Sequence, residues 1–219
     1  MTGNNTLFLR LEGPLQAWGD TSKFVVRRCM GAPTKSGVLG LLCCAMGLSR
    51  QAARDRLPDL NLFLMGARID RPGIRWWDWH TVGAKTGILN AKGEVKINPT
   101  TKEPETIITR REYLCDASFL VALQGDPALI EDVANEVQNP KWPLFLGRKS
   151  CPPAVPVFVK TDTCADLLAA LQSVLWQPRL KEIDRPPADG KATVFLEWRP
   201  RGDNDCAPPN AEVWYDVPF

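Results

Sequence analysis

The strongest constraint on this sequence is a long polar interruption in the middle of an otherwise foldable chain. W-D-W-H-T-V-G-A-K (residues 77–85) leads into it, and E-T-I-I-T-R-R-E-Y-L-C-D-A-S-F-L-V-A-L (residues 105–123) leads out. The outgoing limb reads as a strand, with Phe119, Val121 and Leu123 alternating with Leu120 and Ala122, apolar on both faces. Residues 83–109 hold Gly, Asn, Pro, Thr, Lys and Glu with scattered apolar positions. A segment of that length without its own core is expected to project, and loops of this kind are usually functional. It reads as an arm, a β-hairpin with its turn near Asn90-Ala91-Lys92-Gly93. The arm and its root carry Lys85, Lys92, Lys96, Lys102, Arg110 and Arg111.

Two hundred and nineteen residues suffice for one sizeable domain, or one domain with a small appendage. A net charge of +2 says little about partners, but its distribution says more. Residues 141–160 hold four basic and no acidic side chains, and residues 126–136 hold four acidic and no basic ones. One positive face and one negative face are compatible with phosphate binding, as they are with ordinary solvated charge. Seven cysteines form no C-x-x-C pair, and His80 is the lone histidine, so no metal set and no cofactor motif is legible. Cys43 and Cys44 sit in an apolar helical run and read as core. With no signal-like apolar start and no spanning apolar segment, the expectation is a cytoplasmic protein with no membrane partner.

In chain order, residues 7–11 read as a first strand ended by Gly13-Pro14. L-Q-A-W-G follows, where Trp18 is either a stacking platform or a core anchor. Residues 20–33 carry Lys23, Arg27 and Arg28 without periodicity and read as a basic loop. Pro33-Thr34-Lys35-Ser36 is a helix start, Val38, Leu41, Leu42, Ala45 and Met46 give the helical spacing, and Gly47 is the stop. Lys35 and Ser36 at that helix start offer a phosphate cradle, although the sequence is not a P-loop. Residues 49–56 read as a short charged helix or turn, residues 60–69 as a second strand, and residues 70–73 as a turn. Asp126-Pro127 opens a second good helix, with Ala128, Leu129, Val133 and Val137 on one face. W-P-L-F-L reads as a short strand, and Gly147-Arg148-Lys149-Ser150 as a sharp basic turn suited to a phosphate chain. A third helix is expected over residues 165–175, a linker over 178–191 and a strand over 194–198.

Strand, helix, strand, arm, strand, helix, strand is the order of an α+β, ferredoxin-like βαββαβ domain, a layout also used by RNA-recognition domains. The expected division is a main domain over residues 1–160, with the arm at about 83–109, and a small C-terminal portion over 161–219. Two chemistries remain open for the arm root. Metal-independent RNA cleavage would use His80 as base, Lys85 or Arg111 as cation and Tyr113 as an assisting hydroxyl. RNA binding would use His80 and Tyr113 for stacking or hydrogen bonds and the cations as phosphate clamps.

Five motifs taken together go further. L-E-G-P-L-Q-A-W-G, P-T-K-S-G-V-L-G-L-L, H-T-V-G-A-K, R-E-Y-L-C-D-A-S-F-L-V-A-L and L-G-R-K-S-C-P resemble, in that order, the CasD subunits of type I-E CRISPR Cascade, members of the RAMP superfamily. The resemblance spans residues 7–153. It implies a RAMP ferredoxin-like domain with a protruding thumb, here the arm. It implies a non-catalytic subunit of a ribonucleoprotein in antiviral defence, capping the 5′ handle of CRISPR RNA with the thumb at the handle–spacer boundary. Implied partners are CRISPR RNA, a CasC-type backbone subunit, a CasA-type large subunit and target DNA nearby. Implied RNA contacts are Gln16, Trp18, Lys35, Ser36, His80, Thr81, Lys85, Arg110, Arg111, Arg148, Lys149 and Ser150. In type I-C systems the CasD-like subunit itself cuts the precursor RNA, so the endoribonuclease reading stays as the alternative.

Overall fold

The computed structural model describes residues 4–90, 92–177, 191–197 and 212–218. Its centre is a β-strand whose side chains alternate between two apolar layers. β1 (Thr6–Glu12) is buried along its whole length. Leu7, Leu9 and Leu11 face one core and Phe8 faces another. This is the period-2 consequence of a strand buried on both sides.

After β1 the chain forms β2 (Leu15–Gln16), β3 (Gly19–Lys23) and β4 (Val26–Cys29), then α1 (Lys35–Ala45) and α2 (Arg50–Leu60). Thr34 caps α1 by accepting from the Gly37 amide, and Gly47 takes φ +66° just beyond its end. Ser49 caps α2 in the same way. β5 (Leu64–Arg71), β6 (Ile74–Val82), a 3-10 turn (Ala84–Thr86), β7 (Ile107–Cys115), β8 (Ser118–Gln124) and α3 (Pro127–Gln138) follow. β9 (Phe158–Asp162), α4 (Leu167–Ser173), β10 (Lys191–Glu197) and β11 (Glu212–Pro218) complete the described chain.

Six strands form the main sheet in the order β11-β10-β5-β8-β1-β9, every neighbouring pair antiparallel. Four contiguous strands of it, β5-β8-β1-β9, with α1 and α2 between the first two in sequence and α3 between the last two, are the ferredoxin-like βαββαβ arrangement. α1 and α3 pack with the Leu7, Leu9 and Leu11 face. α4 covers the Phe8, Leu120 and Ala122 face. The boundary expected after residue 160 falls inside β9, and β10 joins the main sheet against β5.

The second sheet is built from two insertions into that plan. β2 to β4 leave the chain between β1 and α1, and β6 and β7 leave it between β5 and β8. β7 pairs with β6 along one edge from Ile107 to Cys115. On its other edge it takes β4 at Arg110 and Arg111 and β2 at Leu114 and Cys115.

Several expectations are corrected. Residues 20–33 contain the β3–β4 hairpin as well as a loop; its two-residue turn, Phe24-Val25, lacks the Gly, Asn or Asp that normally announces one. The second strand starts at Leu64, because residues 57–60 finish α2. In α3 the buried positions are Ile130, Val133, Ala134 and Val137, while Ala128 is exposed. W-P-L-F-L is not a strand: Pro140 and Pro143 cannot donate to a ladder, and Leu146 anchors the segment to Ala17 and Cys151 instead. The arm is more than one hairpin. The expected turn holds, with the Asn90 amide donating to the Glu94 carbonyl and Gly93 at φ +81°, and a second turn runs from Asn98 to Glu103. Bridges Leu89–Val95 and Ile97–Pro104 zip the resulting limbs together. Of the linker expected over 178–191, residues 178–190 lie outside the described residues and Lys191 opens β10; Trp198, Cys206 and Pro208-Pro209 also lie outside them.

Candidate nucleic-acid interface

I-R-W-W-D-W-H-T-V in β6 and I-I-T-R-R-E-Y-L-C in β7 are paired residue by residue, so strand alternation sorts their side chains onto two faces. Arg75, Trp77, Trp79 and Thr81 share one face with Leu114, Glu112, Arg110 and Ile108. Trp76, Asp78 and His80 share the other with Tyr113, Arg111 and Thr109.

On the first face the Arg110 guanidinium lies 5.2 Å from the Trp77 ring centre and 5.1 Å from that of Trp79, a cation held against two indoles. Trp79 is 66% exposed, and Arg110 is exposed as well. Below this ladder Glu112 is buried. One of its carboxylate oxygens accepts from the Cys29 amide at 2.9 Å, and the other accepts from Arg75 Nη1 at 2.7 Å. Arg75 also donates to the Cys29 carbonyl. The carboxylate therefore locks β4, β6 and β7 together beneath the two indoles.

On the second face Arg148 stacks over Tyr113 at 4.5 Å and donates to the Glu112 carbonyl at 3.0 Å. Gly147 makes this approach possible. It sits at φ +87°, and a Cβ there would lie 1.9 Å from the Ala17 carbonyl oxygen. The G-R-K-S turn is thus pressed directly onto the L-Q-A-W-G segment, and the Ala17 amide donates to the Leu146 carbonyl. Trp18 in turn packs against Gly37 in the first turn of α1, where a Cβ would fall 2.9 Å from its ring. Three of the sequence motifs meet here: L-Q-A-W-G, P-T-K-S-G and L-G-R-K-S-C.

The convergence corrects some of the expected contacts. Gln16 and Trp18 are fully buried. Gln16 Nε2 donates to the Leu11 and Ala117 carbonyls, and its Oε1 accepts from Trp18 Nε1. Of the two readings open for Trp18, the core anchor is the one observed. These side chains hold the surface in place and do not line it. Lys35 donates to the Asn61 carbonyl at the C-terminal end of α2, so it borders the α1–α2 groove, with Ser36 beside it. Arg111 Nε donates to Thr109 Oγ1, which itself donates to the His80 carbonyl. His80, Thr81, Lys85, Lys149 and Ser150 are exposed.

The set considered for cleavage does not assemble. His80 is opposite Thr109, and Tyr113 is opposite Trp76, four positions further along the ladder, about 13 Å at strand rise. Tyr113 is buried under Arg148. Burial pushes the thiols of Cys29, Cys43, Cys44, Cys115 and Cys151 above the ordinary cysteine range, which keeps them protonated. Among the described residues no three His, Cys, Asp or Glu side chains gather as a metal site. No described helix is long and apolar enough to cross a membrane.

The ladder residues Trp77 and Trp79 were absent from the sequence-derived contacts. The signal was present: W-x-W in a strand puts both rings on one face, and R-R-E in the partner strand puts one arginine between them.

Comparison with known proteins gives the family. The chain is 38% identical over 178 residues to the CRISPR system Cascade subunit CasD of Escherichia coli (strain K12), spanning 75% of each protein. A solved chain described as a CRISPR RNA-guided surveillance complex superposes with a TM-score of 0.69 at 32% identity, over 88% of this chain and 77% of that one. A second, described as a crystal structure of a Cas protein, gives 0.61 at 33% identity, over 88% and 80%. The profile of the CRISPR-associated protein (Cas_Cas5) family matches residues 6–218, and the chain belongs to that family.

Proposed function

We propose that this chain is a non-catalytic subunit of a Cascade-type, CRISPR RNA-guided surveillance complex and that it grips the 5′ handle of CRISPR RNA. The observation that carries this reading is the Trp77–Arg110–Trp79 ladder at the root of a projecting arm. The exposed Trp79 indole, backed by the half-buried Trp77, offers stacking surface to an unpaired base, and the guanidinium between them offers charge to the adjoining phosphate. Thr81, on the same face, and Lys85 continue that surface into the arm, while His80 lies on the opposite face of the ribbon, the one Arg148 stacks on, with Lys149 and Ser150 beyond Arg148. In this reading the arm, tied to the sheet through β6 and β7, is the thumb at the handle–spacer boundary. A handle of fixed sequence can be read through its bases, whereas the variable guide must be held by its backbone. The neighbours in this reading are a CasC-type backbone subunit and a CasA-type large subunit.

Trp79→Ala tests the reading. It removes an exposed ring, so the melting temperature is expected to stay within about 2 °C of the parent. Affinity for labelled repeat RNA is expected to fall about tenfold, the value of one lost base–aromatic stack. In the same titrations Lys149→Ala is expected to reduce the salt slope by about 0.7, one phosphate contact on a single strand. Unchanged affinity in Trp79→Ala would remove the ladder from the interface.

A further inference from the structure

The β3–β4 hairpin carries an anomaly that its own stability does not explain. Lys23 pairs with Val26, so Phe24-Val25 is a two-residue turn. Phe24 takes φ +49°, the left-handed region, at a position where hairpins favour Gly, Asn or Asp. Its ring is 89% exposed, so burial does not offset the strained backbone. Lys23, Arg27 and Arg28 flank it, all exposed. The turn is not free-standing. The Val25 carbonyl accepts from the Arg110 amide at 2.8 Å, and Val26 and Arg27 pair with Arg110 and Arg111. Phe24 is therefore fixed one residue from the backbone of the arginine that sits between Trp77 and Trp79.

We infer that Phe24 is a second base-stacking wedge, presenting an apolar ring to an unpaired nucleotide of the bound RNA while Lys23, Arg27 and Arg28 hold the flanking phosphates. The inference rests on the RNA-binding reading above and extends it to a surface none of the motifs contains. Basic flanks and continuity with the aromatic ladder favour a nucleobase over an apolar pocket on a protein neighbour. The residue type is then chosen for its ring, at the expense of the turn.

The test is a set of variants measured in parallel with Trp79→Ala: Phe24→Asn, which suits the turn, and Phe24→Trp, which keeps an aromatic ring. Melting temperature, affinity for repeat RNA and assembly with the other complex subunits are read for each. Phe24→Asn is expected to melt no lower than the parent yet bind RNA about tenfold more weakly, with Phe24→Trp restoring affinity. A purely structural role would instead lower the melting temperature and leave affinity intact, which overturns the inference. Parent-like RNA affinity in Phe24→Asn, with Trp79→Ala weakened, sinks the wedge alone. If assembly with protein subunits is then what fails, the tip is a protein-docking element. If the parent protein itself does not bind RNA, the RNA-binding reading fails and this inference with it.

Discussion

Gly147→Ala is expected to destabilise the protein by about 3–5 kcal/mol, lowering the melting temperature by about 10 °C. Two costs add. The backbone at φ +87° is strained for any residue with a Cβ, and that Cβ would lie 1.9 Å from the Ala17 carbonyl oxygen. The obstructing atom is backbone in a buried segment, so no rotamer change relieves it. The Gly147 turn and the Ala17 segment must part, which breaks the Ala17–Leu146 hydrogen bond and shifts Arg148 off Tyr113. RNA affinity should fall together with stability. Gly93→Ala is the control. It has a similar φ of +81° but nothing within 4 Å of the added Cβ, so it should cost only about 1 kcal/mol. Equal effects from the two variants, read by thermal melting, would refute the steric argument.

Arg68→Leu should be comparably damaging for an electrostatic reason. Arg68 is 1% exposed in the middle of β5. Its Nε lies 2.6 Å from Asp70 Oδ1, and its Nη1 donates to the Leu171 and Val174 carbonyls at the end of α4. Removing the guanidinium leaves a buried carboxylate and two buried carbonyls without this donor. Breaking a buried pair from one side costs about 3–5 kcal/mol. α4 should loosen from the sheet first, because Arg68 bridges the two, and amide exchange in residues 167–173 should report it. Replacing both partners with apolar residues, Arg68→Leu with Asp70→Leu, should recover most of the loss, since no uncompensated charge remains. Failure of the double variant to recover would point to the carbonyl bonds as the larger contribution.

These two sites also show what was legible in advance. The helix starts at Thr34 and Asp126 and the strand at residues 118–124 follow from capping and periodicity, which are local properties. The left-handed turn at Gly147 was marked by its residue type, but its partner Ala17, far off in the chain, was not. Gln16 and Trp18 stand in the same L-Q-A-W-G motif as Ala17, and the motif alone does not say that they face inward. Their burial comes from β2 pairing with β7 and from Gly37 admitting the indole, both tertiary facts. The β3–β4 hairpin was missed because Phe24-Val25 breaks turn chemistry, and local rules fail most informatively where a residue serves something other than folding.

The most direct test of the central claim is incubation of the purified protein with end-labelled repeat RNA in EDTA, comparing the parent with His80→Ala. A binding subunit predicts retarded, intact RNA in both. His80 and Tyr113 stand too far apart along the β6–β7 ladder to share one scissile bond, so no metal-independent cut is expected. A discrete cut at one position in the parent, abolished by His80→Ala, would contradict the account and make the arm root a nuclease site.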